Sequence, residues 1–373
     1  MNLFDLCPAG PALDWAAVEA ASPWMAELAR CPQDPVHHAE GDVATHTRMV
    51  VEALLAMPAW RALPDADRRL LWVAALLHDI GKPRTTRAED DGRITARGHS
   101  AVGERMARQL LWESGAPFAE REQIAALIRF HQAPFFLIER EQAAAQRMAL
   151  QISQSARCDL LALLAEADAR GRICADQQRM LDHVALFAEF CADQGCLRAP
   201  WIFPSDHSRF WYFRREDRDP SYHVYDASRC EVTVMSGLPG AGKDTWVERH
   251  AADLPVISLD QVRAILKVAP TDQQSPVLAY AREQAREYLR RSQSFVWNAT
   301  TLSRQRRAEL IGLLADYDAR VRIVYVEVAP DTLFAQNNQR PEPVPRAAIG
   351  RMMDRWELPD LTEAHAVEYV VRQ

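Results

Sequence analysis

Three groups of residues combine types and spacing that could do chemistry. The first is Gly237-Leu-Pro-Gly-Ala-Gly-Lys-Asp-Thr245, directly after the apolar run EVTVMS at 231–236. It fits G-x-x-x-x-G-K. Gly237, Gly240 and Gly242, with Ala241 among them, let the backbone wrap an anionic phosphate with its N–H groups inward. The helix beginning near Lys243 adds its positive end, and Lys243 reaches the outer phosphates of a nucleoside triphosphate. Asp244 stands where a Ser or Thr hydroxyl usually holds Mg²⁺. Its carboxylate can ligate that ion directly or through water, or it can cap the helix and complement its dipole. Thr245, rotated by about 100° round the helix, is a poorer substitute.

The second group lies at the ends of two short β-rich runs. PVISLD at 255–260 ends in Asp260, with Arg263 three residues on, and SFVWNAT leads into Asn298, Thr300 and Arg304. In a parallel sheet the carboxyl ends of strands line the ligand crevice. A lone carboxylate there can take the proton of an acceptor hydroxyl, or serve as a helix N-cap. Asn298, Thr300 and Arg304 are crevice candidates, whereas Arg306 and Arg307 read as solvated helix charges. Arg340 and Arg346 flank a Pro-rich turn between two helical stretches at 331–356, an arrangement suited to a lid over phosphates. Arg351 and Arg355 read as structural.

The third group is His46, His78-Asp79 and Asp168. His46 shares a helical face with Val43, Val50 and Leu54. Asp168 follows Leu160 and Leu164 at i+4 steps, and a bare carboxylate on an apolar face is costly unless paired or metal-bound. Imidazoles and carboxylates projecting from several helices make a divalent-metal cage, and a His-rich set suits Mn²⁺, Co²⁺ or Ni²⁺. His99 and His131 also fall at inward-facing helical positions, where they could hold a second metal or contact a scissile phosphate. The other seven histidines receive no role.

The elements that must position these groups divide the chain in two. Up to about residue 198 the apolar period is 3.6, as in RRLLWVAALLHDIG and SARCDLLALLAEADARGR. From Cys230, β-rich runs (EVTVMSG, PVISLD, SFVWNAT, VRIVYVEV) alternate with helical stretches, the pattern of a parallel sheet built from βαβ units. The stretch between them, dense in aromatics and arginine, reads as ordered rather than as a free linker. With 373 residues, 48% hydrophobic and 25% charged, two globular domains are expected. A net charge of −7 gives no global attraction for nucleic acid, so any such contact needs a local basic surface. Seven scattered cysteines without a CxxC pair argue for reduced thiols, against a zinc ribbon or a disulfide framework. No apolar run is long enough to span a membrane and the start lacks a leader pattern, so a cytoplasmic protein is expected. Only Lys82, Lys243 and Lys267 are lysines, against 41 arginines, and two of the three sit inside these motifs.

GLPGAGKDTW, the Asp260-x-x-Arg263 pair, Asn298-Ala-Thr300 and Arg340…Val344-Pro345-x5-Arg351-Met352 resemble the polynucleotide kinase family. That resemblance implies Asp260 as general base on a 5′-hydroxyl, Arg263 on the acceptor phosphate, and Arg340 and Arg346 on the donor triphosphate. The ordered His46, His78, Asp79, Asp168 set, flanked by HDIGK at 78–82 and ADARGR at 167–172, resembles HD-domain phosphohydrolases. It is similar to the HD module of bacterial tRNA nucleotidyltransferases, which processes 2′,3′-phosphate ends, and it makes Lys82 a candidate catalytic residue. Over residues 35–360 the chain resembles the bacterial HD-Pnk family. The implied fold is an all-α HD bundle (1–199), an aromatic and Arg-rich connector (200–229) and an α/β P-loop kinase domain with a parallel sheet and lid (230–373). The implied function is repair of broken RNA, or DNA, ends: a 5′-hydroxyl kinase using ATP or another NTP with Mg²⁺, and a metal-dependent 2′,3′-phosphatase. A separate RNA ligase would complete the pathway, and no membrane is involved. A small-metabolite kinase fused to an HD nucleotide phosphohydrolase, and a nucleotide-sensing regulator, are the alternatives.

Overall fold

A helix whose every face is apolar must lie at the centre of its domain, and the first half of this chain contains one. The computed structural model describes residues 3–8, 10 and 12–372, in a first compact unit ending at Trp201 and a second beginning at Ile202. In the first unit, helix α1 (Val43–Ala56) starts where the Asp42 side chain accepts the Thr45 N–H at 2.9 Å. It buries Val43, His46, Val50, Val51 and Leu54. Helix α2 (Asp65–Leu77) places Asp65 and Asp67 in its first turn, against the positive end of its dipole. From Leu70 to Leu77 every residue of α2 is buried, and the chain leaves it directly into His78 and Asp79.

Helices α3 (His99–Glu113), α4 (Phe118–Phe130), α5 (Cys158–Arg170) and α6 (Gln177–Asp193) complete the part of the bundle that matters for chemistry. Helices α1, α4 and α5 pack on α2, α3 packs on α4, and α6 packs on α5. Two glycines permit the close approaches that bring the ends of these helices together. A Cβ on Gly81 would lie 2.3 Å from the His99 carbonyl, and one on Gly171 would lie 2.7 Å from the Val50 amide. The His78-Asp79 corner therefore abuts the start of α3, and the end of α5 that carries Asp168 abuts α1.

The second unit opens with helix α7 (Asp206–Arg214), whose Phe210 is fully buried in the core of the α/β unit. The aromatic stretch after Ile202 thus belongs to this unit's fold. Strand β1 (Cys230–Ser236) is followed by α8 (Lys243–His250), β2 (Val256–Ser258), α9 (Leu259–Leu266) and α10 (Ser275–Arg290). Then come β3 (Phe295–Asn298), α11 (Arg304–Ala315), β4 (Ala319–Val328), α12 (Pro330–Asn338), α13 (Arg346–Met353) and β5 (Ala366–Arg372). All five strands are parallel, in the order β2-β3-β1-β4-β5. The β1 strand sits in the middle, its Val232 and Val234 buried with Trp297, Val321 and Ile323.

Two details differ from the sequence reading. Strand β5 is absent from it, because AVEYVVR is an edge strand with a half-exposed pattern and no distinct apolar run. Strand β2 ends at Ser258, two residues short of Asp260, which instead lies in the first turn of α9.

Candidate active sites

In the first unit, side chains from four chain segments converge on Asp79, and a fifth brings Asp168 against His46. His78, His99 and His131 each donate Nδ1–H to a backbone carbonyl three residues earlier, Ala75, Ala96 and Ile128, at 2.8 Å in every case. The last turns of α2 and α4 supply the carbonyls for His78 and His131, and the turn before α3 that for His99; each bond favours the tautomer that leaves Nε2 as a lone pair. His46 Nδ1 is held by Glu40 Oε1 at 2.9 Å and the Gly171 carbonyl at 3.3 Å, which also turns its Nε2 inward.

The Nε2 atoms fall into two sets around one carboxylate. His46 and His78, 3.4 Å apart, face Asp79 Oδ2 at 3.7 and 3.2 Å, with Asp168 Oδ1 3.1 Å from His46. His99 and His131, 3.3 Å apart, face Asp79 Oδ1 at 3.3 and 3.8 Å. Lys82 Nζ pairs with Oδ2 at 2.7 Å, whereas the buried Oδ1 accepts no hydrogen bond among the described residues. Paired imidazole lone pairs at this spacing repel one another, and a buried carboxylate oxygen without a hydrogen bond is costly. A divalent cation on each side of Asp79 relieves both, so the residues fit a metal site.

The electrostatics agree for the carboxylates and for the second pair of rings. Burial works against ionisation of Asp79 and Asp168, but Lys82 beside the first and Arg172 beside the second hold both carboxyls well below their usual range. Burial pushes His131 down to about 3 and lowers His99, which keeps these rings neutral and able to ligate. His78 is raised, because Asp79 and Asp168 together outweigh its burial.

Several functional neighbours were not read from the sequence. Arg172 clamps Asp168 with two bonds of 2.9 and 2.8 Å, and its i+4 spacing from Asp168 was a usable signal. Glu40 holds both His38 (2.7 Å) and His46, and these two rings keep its carboxyl below the ordinary range against the effect of burial. Gln33 accepts from Lys82 at 2.5 Å. Glu40 and Gln33 lie in the loop before α1, where no periodicity marks them. Lys82, His99 and Arg172 also line a cleft of about 410 Å³, whose wall includes Arg97, Arg179 and the half-exposed Phe136.

In the second unit the loop after β1 folds as its glycines require. Gly237, Gly240 and Gly242 have φ of 142°, 83° and 97°. A Cβ on Gly237 would lie 2.3 Å from the Val326 carbonyl of β4, so only glycine lets the loop leave the sheet here. Ala241, within the loop, is buried. Lys243 Nζ bonds the carbonyls of Gly237 and Leu238 at 2.9 and 3.0 Å, and burial, with Arg340 assisting, pushes its amine down to about 8. Asp244 and Asp260 act on that amine in the opposite sense, which places both near it.

Asp244 Oδ1 accepts from Asn298 Nδ2 at 2.6 Å, which joins two sequence candidates in one contact. Thr300 joins them through its backbone, its carbonyl accepting the Gly237 N–H at 3.1 Å. Thr245 is exposed beside them. The N-cap of α9 is Ser258, not Asp260, so the capping explanation for Asp260 falls away. Asp260 instead pairs with Arg263, with Arg340 Nη2 3.6 Å from its other oxygen. Between α12 and α13, Asn337 pins the turn by bonding both the N–H and the carbonyl of Val344, and Arg346 lies 4.3 Å above the Phe334 ring.

Arg304 Nη2 bonds both oxygens of Asp360 at 2.9 and 2.8 Å, a pairing that a ligand would have to displace, as at Arg263. One arginine reading is corrected. Arg307 is fully buried, forked onto Glu363 and bonded to the carbonyls of Thr301, Leu302 and Glu357. Its carbonyl partners tie the loop after β3 to the segment after α13, which makes it a structural post rather than a solvated charge.

Comparison with known proteins agrees with this division. Residues 43–170 match the family model described as the HD domain, and residues 232–359 match one described as an AAA domain. The chain is similar to the A-adding tRNA nucleotidyltransferase of Deinococcus radiodurans, 43% identical over 100 residues, 26% of this chain and 21% of that protein. It is also similar to the multifunctional CCA protein of Halorhodospira halophila, 38% identical over 100 residues, 27% of this chain and 21% of that protein. The chain therefore spans about a fifth of the length of these relatives. Among solved structures, a gluconokinase from Sinorhizobium meliloti is 19% identical over 39% of this chain and 83% of its own, with a TM-score of 0.29. The chain joins a helical unit that matches the HD domain to an α/β unit that matches an AAA domain and carries the phosphate-loop sequence.

Proposed function

We propose that this protein heals both ends of a broken RNA strand. The P-loop unit transfers the γ-phosphate of ATP or another NTP to a 5′-hydroxyl, and the HD unit removes a 2′,3′-cyclic phosphate or a terminal 2′- or 3′-phosphate. What carries the reading is that one chain holds both a cage fit to cleave a phosphate ester and a cradle fit to make one, the two operations a broken strand needs. The similarity of the chain to tRNA nucleotidyltransferases points toward RNA as the substrate.

In the HD unit, His46, His78, Asp79 and Asp168 would hold one divalent ion, and Asp79, His99 and His131 a second. Such ions supply Lewis acidity toward a phosphoryl oxygen and lower the pKa of water. Lys82 and Arg172 stand where the cleft meets the cage and would neutralise the phosphate in place. Phe136 offers a face on which a base can stack, a sequence-tolerant contact.

In the kinase unit, Lys243 would exchange its two loop carbonyls for the β- and γ-phosphates. Asp244, held by Asn298, would ligate the Mg²⁺ that accompanies the nucleotide. Asp260 would accept the proton of the attacking hydroxyl once a substrate phosphate draws Arg263 away from it, and Arg340 and Arg346 would clamp the donor.

The test is label transfer from γ-labelled ATP to a 5′-hydroxyl oligoribonucleotide, alongside phosphate release from a 3′-phosphate or 2′,3′-cyclic end. Both activities in one preparation are expected. Transfer to a small polyol but to no oligonucleotide overturns the reading in favour of a metabolite kinase, and no turnover of either kind overturns it in favour of a nucleotide sensor.

A further inference from the structure

Seven cysteines look scattered along the chain, but the fold gathers three of them. Cys158 is the first residue of α5, Cys191 lies in the last turns of α6, and Cys196 follows a glycine turn just beyond it. Their sulfur atoms all lie within 4.8 Å of one another, and the three residues are 0%, 0% and 1% exposed. Backbone bonds fix the arrangement on both sides. The Cys196 N–H reaches the Cys191 carbonyl at 2.8 Å, and the Asp159 N–H reaches the Leu197 carbonyl at 2.9 Å. The group lies in the core of the first unit and shares no residue with the Asp79 cage.

Three points no more than 4.8 Å apart fit within a circle of radius about 2.8 Å, so an ion at the centre is that close to every sulfur. Metal–thiolate bonds run to ~2.3 Å, a contraction of half an ångström that side-chain rotation supplies. No fourth His, Cys, Asp or Glu joins the group among the described residues. Structural zinc almost always takes four ligands, whereas soft sulfur donors also select copper(I), which three sulfurs satisfy in a trigonal plane. The positive end of the α5 dipole at Cys158 favours thiolate, against the neighbouring sulfurs and burial, which raise the Cys158 thiol, so the ion itself must displace the protons.

We propose that Cys158, Cys191 and Cys196 form a three-thiolate site for a soft monovalent cation, copper(I). Binding breaks three S–H bonds and forms three S–Cu bonds. Three protons leave to solvent, and no electron is transferred. The occupied site staples the start of α5 to the end of α6, on the same helix that carries Asp168.

The test uses the full chain, stripped with chelator, kept reduced and titrated with copper(I) held in a chromogenic competitor complex. One equivalent per chain should be withdrawn, and X-ray absorption on that complex should show a shell of sulfur only. Cys158→Ala, Cys191→Ala and Cys196→Ala should each weaken binding by at least ~100-fold, more than loss of a supporting outer partner costs a metal site. Cys230→Ala should leave it unchanged. A nitrogen and oxygen shell, meaning that copper has gone to the histidine cage, overturns the proposal, as does failure to withdraw copper. If a core variant does not fold, the absorption shell of the unaltered protein decides.

Discussion

The substitution Asp79→Asn tests the cage at its centre. Oδ1 faces His99 and His131 while Oδ2 faces His46 and His78, so one carboxylate serves both sets. An ion present at 100 times its Kd stabilises the folded state by about 2.7 kcal/mol. At roughly 2–4 °C per kcal/mol for a unit of this size, each site should lift the first transition by about 5–11 °C. His131→Ala should remove only the contribution of the second set, and His46→Ala only that of the first. Asp79→Asn should erase both. Without metal, the same substitution leaves the buried Lys82 ammonium without its 2.7 Å partner, a loss of about 3–5 kcal/mol that added metal should not restore. Calorimetric melting of chelator-stripped protein with and without Mn²⁺, plus a titration for stoichiometry, measures all of this. A full metal-dependent rise in Asp79→Asn, or its complete loss in His131→Ala, refutes the shared-carboxylate geometry.

Four further outcomes are expected. Lys243→Ala or Asp260→Ala should cut 5′-phosphorylation by ~100-fold or more with phosphate release intact, and His78→Ala should do the reverse; one substitution that stops both activities in folded protein sinks the two-site reading. The kinase should run on Mg²⁺ and the phosphatase on Mn²⁺, Co²⁺ or Ni²⁺, which metal-substitution assays check; a phosphatase optimum in Mg²⁺ counts against an imidazole cage. Asp244→Ala should raise the Mg²⁺ requirement of the kinase, Asp244→Ser should keep much of the activity, and Asp244→Asn should fall between. Asn298→Ala should shift the same requirement less, whereas a mere capping role predicts only a stability loss of ~0.5–2 kcal/mol. Because burial sets the free Lys243 amine at about 8, its charge disappears as pH rises through that value; kcat/KM for the NTP should then fall by about tenfold per pH unit, and a profile flat well above pH 8 refutes this.

What the sequence alone determined was whatever depends on local order. The phosphate loop was legible because strand, glycines, lysine and helix are contiguous, and backbone geometry follows from such a run. The change of apolar period near residue 200 separated bundle from sheet. The four cage residues were legible as an ordered set, His46, His78-Asp79 and Asp168, in which a carboxylate on an apolar helical face demands a partner. The tertiary structure decided everything that depends on which distant segments touch. It split the histidines into two sets on one carboxylate, through close approaches at Gly81 and Gly171 that no periodicity encodes. It brought in Glu40 and Gln33 from a loop, set Asn298 on Asp244 across 54 residues, and paired Arg304 and Arg307 with acidic partners more than 50 residues away. It also gathered three cysteines whose spacing along the chain carries no motif. The reason is common to all of these. A charge or thiol on a helix announces its own face, but its partner is chosen by the packing of backbones, which is settled only when the core closes.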